Sequence, residues 1–519
     1  MRKMIFSRKD MLLAFIGVLA SMANPQPVEA ADAARPNIII VMADDMGFSD
    51  LGSYGGEIRT PAIDRLAKEG LRFSRFYNCA ICGPSRAALM TGCYPWKVGQ
   101  APGANIFANL AGNCVTAFEL LKAEGYRTCA VGRLDMIIGD NWHNPSQIAR
   151  SVDRCLGSAS GGPGNYFKEA KGTPWFRDGK RWKRPEGAYS TDVISGFVVD
   201  FIEEQAGSDQ PFFIYVSHYA PHWPLQANEK DIAPYRQLYQ GKDRKRTMQA
   251  RLDRLIGDGL IAAGTTLPDS ALYAKPAAGG YLEAQRMAIH AAMVDSIDRA
   301  TADMMAALKK AGKLDNTLVL VLSDNGASSQ MVFDKGRMVP DGVRPGSGET
   351  FLNHGPSVAA QSNTPFRNYK TSYYEGGIAS PLVAWWPAGL KKPGRLSHRL
   401  SHIADIMPTC LELAGVSYPE TFASRKLIAM DGKSFVASLR DQERDANESR
   451  LLPFAKALRE GDWKLILENP AQPELYNLAK DRNEQENLSA RYPERVRSMV
   501  TQFSKIGPQG IHMRRAGEK

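Results

Sequence analysis

The sequence predicts an α/β protein: a large, mostly parallel or mixed sheet flanked by helices, followed by a smaller C-terminal α+β part with a short antiparallel sheet. Three observations carry this. Short apolar runs of strand length alternate with longer stretches of helical periodicity, the pattern of a parallel sheet wrapped by helices. Acidic or polar residues follow directly on several of those runs, where such sheets collect their ligands. Beyond about residue 414 the chain changes to short segments bounded by turn residues.

Each element has its own warrant. Residues 1–30 carry Arg2, Lys3, Arg8 and Lys9, then an apolar stretch from Met11 to Met22, then a polar segment ending Val28-Glu29-Ala30. That is the layout of a secretory signal peptide, with cleavage expected after Ala30. The apolar stretch is short for a bilayer, and no later run reaches spanning length. The mature chain is therefore expected in the periplasm or outside the cell, without membrane insertion. Asn37 to Met42 reads as a buried strand running into Asp44-Asp45 and a Gly-rich turn. Thr60-Pro61 opens a helix on which Ile63, Leu66 and Ala67 recur. Ala117 to Glu124 reads as helix, Thr128 to Val131 and Phe212 to Val216 as strands. A long helix from about Glu283 to Lys310 places Met293, Ile297, Met304 and Leu308 on one face. Thr317 to Leu322 is another apolar strand, ending in Ser323-Asp324-Asn325-Gly326. The polar, Lys/Arg-rich segment from Glu229 to Gly279 reads as an excursion over the face where the strands end. After a helix around Ile403 to Ala414, Trp463 to Leu467 and Glu474 to Leu478 suggest a small antiparallel sheet, with a final helix near Pro493 to Ser504. The expected division is 31–425 for the main domain and 426–519 for the C-terminal subdomain.

The 519 residues carry a formal net charge of +10. The first thirty hold four basic and two acidic side chains, so the expected mature chain keeps +8. A basic surface suits a polyanionic substrate and equally suits plain solubility. Nothing resembles a basic arm, a zinc finger or an aromatic platform for nucleic acid, so no nucleic-acid partner is expected. Seven cysteines stand at 79, 82, 93, 114, 129, 155 and 410, and their spacing fixes no disulfide pairing.

The most informative stretch is Cys82-Gly83-Pro84-Ser85-Arg86-Ala87-Ala88-Leu89-Met90-Thr91-Gly92. A Cys79/Cys82 redox pair would account for the two cysteines, but for neither the Pro-Ser-Arg nor the Thr-Gly that follow. The stretch resembles the signature of the type I sulfatases, of the alkaline phosphatase superfamily. The resemblance extends over nearly the whole mature chain, through Asn37 to Gly47, Thr60 to Gly70, Ala220 to Gln226, Ser323 to Gly326, Asn363 to Lys370 and Glu375 to Ile378.

What the resemblance implies is specific. A maturation enzyme would oxidise Cys82 to formylglycine, whose hydrate offers one hydroxyl to attack sulfur and a second to expel sulfate by C–O cleavage. Asp44, Asp45, Asp324 and Asn325, with residue 82, would hold a metal. Three carboxylates, an amide oxygen and the residue-82 oxygen form the all-oxygen set that suits Ca²⁺ and disfavours zinc. Arg86 and Lys370 would neutralise the sulfuryl oxygens, and His222 would be an acid or base. Read singly, acidic pairs of this kind are ordinary in turns and caps, and a lone histidine is usually structural.

One departure stands out. Where the family usually reads Gly-Lys-Trp-His, this chain has Gly132-Arg133-Leu134-Asp135. Arg133 keeps a cation that can bind sulfate but cannot donate a proton, and Asp135 cannot replace a histidine in kind. His143, eight residues on from Asp135, is a candidate for the vacated place and equally a structural residue. The expected function is a secreted sulfatase acting on a sulfated small molecule or saccharide, resembling bacterial arylsulfatases and glycan sulfatases. The alternatives are a phosphate or phosphonate ester hydrolase of the same superfamily, and a sulfoglycan-binding protein with reduced turnover.

Overall fold

Apolar runs too hydrophobic to face water on either side have become the inner strands of one large sheet. The computed structural model describes residues 35–100, 110–134, 151–158, 160–268, 280–330, 339–442 and 450–508. The expected signal peptide, Asp135 and His143 lie outside them. The sheet is built from β1 (Asn37–Asp44), β2 (Leu71–Tyr77), β3 (Arg127–Arg133), β4 (Arg154–Ser158), β5 (Trp175–Arg177), β6 (Lys180–Trp182), β7 (Phe212–Pro221), β8 (Thr317–Ser323), β9 (Ala379–Trp385), β10 (Arg395–Ser397) and β11 (Ser401–His402). The order is β10-β2-β9-β8-β1-β7-β3-β4-β5-β6, with β11 also beside β2. The centre, β8-β1-β7-β3-β4, is parallel. Strand β9 is antiparallel to both neighbours, and β5 and β6 turn back at the far edge.

Both faces of the centre are covered. Ile39 and Val41 of β1, Ile214 and Val216 of β7, and Val319 and Val321 of β8 face one core. Their neighbours Ile38, Ile40, Phe213, Leu318 and Leu320 face the other. The first core is closed by α1 (Pro61–Glu69), α4 (Ser190–Glu204) and α7 (Gly280–Lys310); the second by α2 (Cys82–Thr91), α3 (Ala117–Ala123) and α9 (Ile406–Ala414). A reciprocal cap starts α3: Thr116 accepts from the Glu119 N–H and Glu119 accepts from the Thr116 N–H.

The described part of the segment read as an excursion holds two helices, α5 (Glu229–Tyr239) and α6 (Arg244–Gly257), and α8 (Gly355–Ser362) follows later in the chain. Their apolar stripes are sparse, Ile232, Tyr235 and Tyr239 on one and Met248, Leu252 and Leu255 on the other, and all six are buried. Basic residues between them hide the helical period in any average of polarity. After a two-strand hairpin, β12 (Thr421–Phe422) and β13 (Arg425–Lys426), the chain forms an antiparallel sheet of β14 (Leu451–Phe454), β15 (Ala457–Glu460), β16 (Trp463–Ile466) and β17 (Glu474–Asn477), then α10 (Pro493–Ile506). Leu458, Leu465, Leu475, Met499 and Phe503 make a small core of their own there. Among the described residues no helix is long and apolar enough to cross a membrane.

Candidate active site

The carboxyl ends of β1 and β8 lie side by side, Ala43 registered with Ser323, so the acidic residues that follow must converge. Asp45 takes a left-handed backbone (φ 71°), and its N–H donates to Asp324 Oδ1 at 3.3 Å. The Met46 N–H donates to Ser323 Oγ at 3.1 Å. Gly47 seats the turn against α8, where a Cβ would fall 2.3 Å from the Ser362 carbonyl. Asp44, Asp45, Asp324 and Asn325 are fully buried.

Cys82 is the first residue of α2, whose N-cap Ile81 offers no side-chain acceptor. Its thiol therefore stands at a helix N-terminus, a favourable place for negative charge. Ser85 accepts the Cys79 N–H at 3.0 Å and fixes the approach to this turn. Burial pushes the Cys82 thiol up to about 11, against the pull of Lys370 and Arg133. As cysteine it is thus protonated and a weak nucleophile at neutral pH. Arg86, one turn on, donates through Nε (3.1 Å) and one terminal nitrogen (2.8 Å) to Asp324 Oδ2. Its other terminal nitrogen reaches the Tyr215 hydroxyl at 2.9 Å and Ser217 Oγ. Burial works against this guanidinium's charge, but Tyr215 and Asp324 outweigh it and hold its pKa above the ordinary arginine value.

Arg133 closes β3, and its Nη1 donates to Asp44 Oδ2 at 2.6 Å. The residue before it, Gly132, has φ 95°, and a Cβ there would sit 1.9 Å from the Ser217 carbonyl oxygen. Lys370 Nζ donates to Asp45 Oδ1 at 2.6 Å, and Asn325 Nδ2 donates to the same oxygen at 2.6 Å. His222, just past β7, pairs Nδ1 with the Trp223 carbonyl at 2.7 Å and turns Nε2 toward Asp45 Oδ2 at 3.7 Å. A carbonyl only accepts, so this contact places the proton of neutral His222 on Nδ1 and leaves Nε2 bare. Burial, aided by Lys370 and Arg133, lowers its pKa.

The donors fit a hard cation. Asp44 Oδ1, Asp45 Oδ2 and Asn325 Oδ1 are buried with no hydrogen-bond partner. Ligand atoms of Asp44, Asp324 and Cys82 come within 4.8 Å of one another, Cys82 Sγ standing in for the oxygen that formylglycine would present. Burial pushes the Asp324 carboxyl up to about 7, and the neighbouring Asp44 carboxylate adds to it. Asp44 meets the same burial, but Arg133, His222, Arg86 and Lys370 hold it well below the usual carboxylate range. Crowded carboxylates with partnerless oxygens are what a divalent cation discharges.

Of the candidate site residues, Asp44, Asp45, Cys82, Arg86, Arg133, His222, Asp324, Asn325 and Lys370 meet in this nest, while His143, like Asp135, lies outside the described residues. Sequence reasoning missed Tyr215 and Ser217, which alternate along β7 and orient Arg86. It also missed the support behind the Asp44 turn, where Asp50 accepts the Gly47 N–H at 2.9 Å, His290 Nε2 at 2.8 Å and Arg251 at 3.1 Å. None of the seven cysteines is in a disulfide, and Cys79 Sγ lies 3.8 Å from His402 Nε2.

An acidic nest at the carboxyl edge of a mixed sheet, ringed by buried cations beside a helix-terminal Cys-x-Pro-x-Arg, belongs to hydrolases of anionic esters. The chain is a member of the sulfatase family, whose model it matches over residues 36–416. It is 30% identical to an uncharacterised sulfatase of Schizosaccharomyces pombe, covering 91% of this chain and 93% of that one. It is 28% identical to an arylsulfatase of Klebsiella aerogenes, covering 83% and 97%. The crystal structure of Ps i-CgsB in complex with a neocarrahexaose superposes with a TM-score of 0.67 at 26% identity, covering 91% and 92%. The fold is accordingly alkaline phosphatase-like, and the protein is a sulfuric ester hydrolase.

Proposed function

We propose that this chain is an exported, formylglycine- and calcium-dependent sulfatase acting on sulfate monoesters of saccharides or aryl alcohols. The observation that carries the reading is the set of three partnerless buried oxygens, on Asp44, Asp45 and Asn325, beside the helix-terminal Cys82. Formylglycine at position 82 would supply, as its hydrate, one hydroxyl to attack sulfur and another whose deprotonation releases sulfate. Calcium on Asp44, Asp45, Asp324 and Asn325 would polarise the sulfate and the attacking oxygen.

The remaining work falls to the chain's own side chains. Arg86 and Lys370, both buried and charged, neutralise the sulfuryl oxygens as their charge grows. Arg133 adds a third cation, its position fixed by Asp44. Neutral His222, with Nε2 bare, is built to take a proton from a hydroxyl at residue 82. The leaving alcohol needs a proton from another group, for which His143 is the candidate. The saccharide or aryl choice draws on the arylsulfatase relative and on the neocarrahexaose complex.

The test is expression with a formylglycine-generating enzyme, followed by mass measurement of the Cys82 peptide and a desulfation screen over aryl sulfates and defined sulfated saccharides. Aldehyde at residue 82 and multiple turnovers support the proposal. Faster cleavage of matched phosphate esters, or binding without turnover, would replace it with one of the two alternatives.

A further inference from the structure

Among the described residues three large hydrophobic side chains are exposed, Tyr281, Phe351 and Tyr492. Scattered exposed apolar residues are ordinary. Phe351 is not scattered. Its ring centroid lies 5.6 Å from that of Trp223 at 59°, and the Trp223 ring lies 4.8 Å from that of His222. A continuous aromatic path thus runs from solvent to the imidazole of the anion site.

Hydrogen bonds join the two segments that carry it. The Leu225 N–H donates to the Leu352 carbonyl at 2.8 Å. Buried Gln226 donates to the Thr350 carbonyl at 2.7 Å while accepting the Tyr166 N–H at 2.8 Å. These bonds pin the segment carrying Phe351 to the segment carrying His222 and Trp223. The indole N–H of Trp223 is used at the rim, donating to Gln330 Oε1 at 3.1 Å.

We propose that Trp223 and Phe351 form the subsite for the leaving alcohol, and that it takes alcohols presenting a flat apolar face: a pyranose ring or an aryl ring, not an acyclic chain. The side chains that form the nest, Asp44, Asp45, Arg86, Arg133, Asp324 and Lys370, are charged and suit the sulfate rather than the alcohol. The aromatic pair supplies an apolar wall, its indole packed against the His222 imidazole at the edge of the anion site. Ring faces gain from such contacts through dispersion and C–H···π alignment, while a methyl or ethyl group covers little of either ring. The inference rests on the sulfatase reading.

The test pairs three sulfates, 4-nitrophenyl sulfate, galactose 6-sulfate and methyl sulfate, with Phe351→Ala, Trp223→Ala and the conservative Phe351→Tyr. In the alanine variants KM for a ring-bearing ester should rise about 3- to 10-fold relative to KM for methyl sulfate, the usual worth of an aromatic contact. Inhibition by inorganic sulfate should move less than twofold, and Phe351→Tyr should recover most of the loss. The aryl and sugar arms show which ring the subsite serves. The same comparison by calorimetry in Cys82→Ala protein reads binding without chemistry. A ring-dependent loss there, in a protein whose matured form hydrolyses none of the three, would sink the sulfatase reading and keep the subsite. Equal changes for ring-bearing and methyl sulfate would overturn the subsite whatever the turnover.

Discussion

Lys464 of β16 donates to Glu375 Oε1 at 2.9 Å, and both side chains are wholly buried between the small C-terminal sheet and the segment that carries Lys370. The same ammonium lies 2.7 Å from Glu484, which in turn accepts the Glu375 N–H at 2.7 Å. Glu375 Oε2 takes the Tyr77 hydroxyl at 2.7 Å and Arg482 at 3.1 Å. On the rim, Glu468 accepts the Ser372 hydroxyl and the Tyr373 N–H at 2.9 and 2.7 Å. The C-terminal sheet thus holds from behind the turn whose lysine reaches Asp45.

Removing Lys464 leaves two carboxylates buried around a missing cation. Lys464→Met is expected to cost about 3–5 kcal/mol, read as a lowered urea midpoint or Tm. Glu468→Ala, an exposed position, should keep the fold and raise KM by roughly 2- to 5-fold as the Lys370 turn loosens, the effect of one or two lost hydrogen bonds. An unchanged KM in Glu468→Ala would show that the turn stands without this support.

Cys82→Ala should lower kcat by roughly 10³-fold or more, as loss of a nucleophile does. Protein made without a maturation enzyme should be nearly as slow, because burial holds the unmodified thiol up at about 11. Activity should then track the aldehyde fraction found by mass spectrometry, and full activity in a preparation with no aldehyde would remove residue 82 from the chemistry.

Asp324→Ala removes a carboxylate from the crowded set and the principal partner of Arg86. Bound calcium, measured by elemental analysis, should fall below stoichiometric along with the rate. Stoichiometric zinc in the wild-type protein would contradict the all-oxygen donor set.

Much of this nest could be read without coordinates, and the reason is local. Asp44-Asp45, Asp324-Asn325 and Cys82 to Arg86 are contiguous motifs, and parallel neighbours in the sheet such as β1 and β8 bring their carboxyl ends together. What escaped was non-local or averaged away. Strand β2 alternates Arg72 and Arg75 with buried Phe73 and Phe76, and so lacks the continuous apolar run of β1. The α5 and α6 stripes lie under basic side chains. The Lys464–Glu375 pair joins residues 89 apart, and although Glu375 opens one of the resembling segments, nothing in that segment points to Lys464 as its partner.

The pH profile should reflect His222. Burial lowers its pKa from 6.5, and a cation bound beside Asp45 would push the same way. The imidazole is then neutral at pH 7 and loses its acceptor only on acidification. The expected profile of kcat has an acidic limb with its midpoint below 6.5, and the residual rate of His222→Ala should lack that limb. A wild-type rate that falls as pH rises through this region would make the protonated imidazole the working form instead.

The chain's departure at Arg133 and Asp135 sets the last expectation. Arg133 sits 2.6 Å from Asp44, so its charge serves that carboxylate as well as any sulfate beside it. A guanidinium stays protonated throughout and cannot hand a proton to a leaving oxygen. Arg133→Ala should therefore slow aryl and sugar sulfates together, because the lost charge acts on the sulfuryl group whatever departs. His143→Ala separates the two substrate types if that residue is the acid. A sugar alkoxide needs a proton as it leaves, whereas nitrophenolate leaves without one, so kcat should drop on the order of 10²-fold for the sugar ester and only a few-fold for nitrophenyl sulfate. Equal modest losses on both would clear His143 of the role and return it to His222, whose Nε2 would then have to carry the proton that its neutral form lacks.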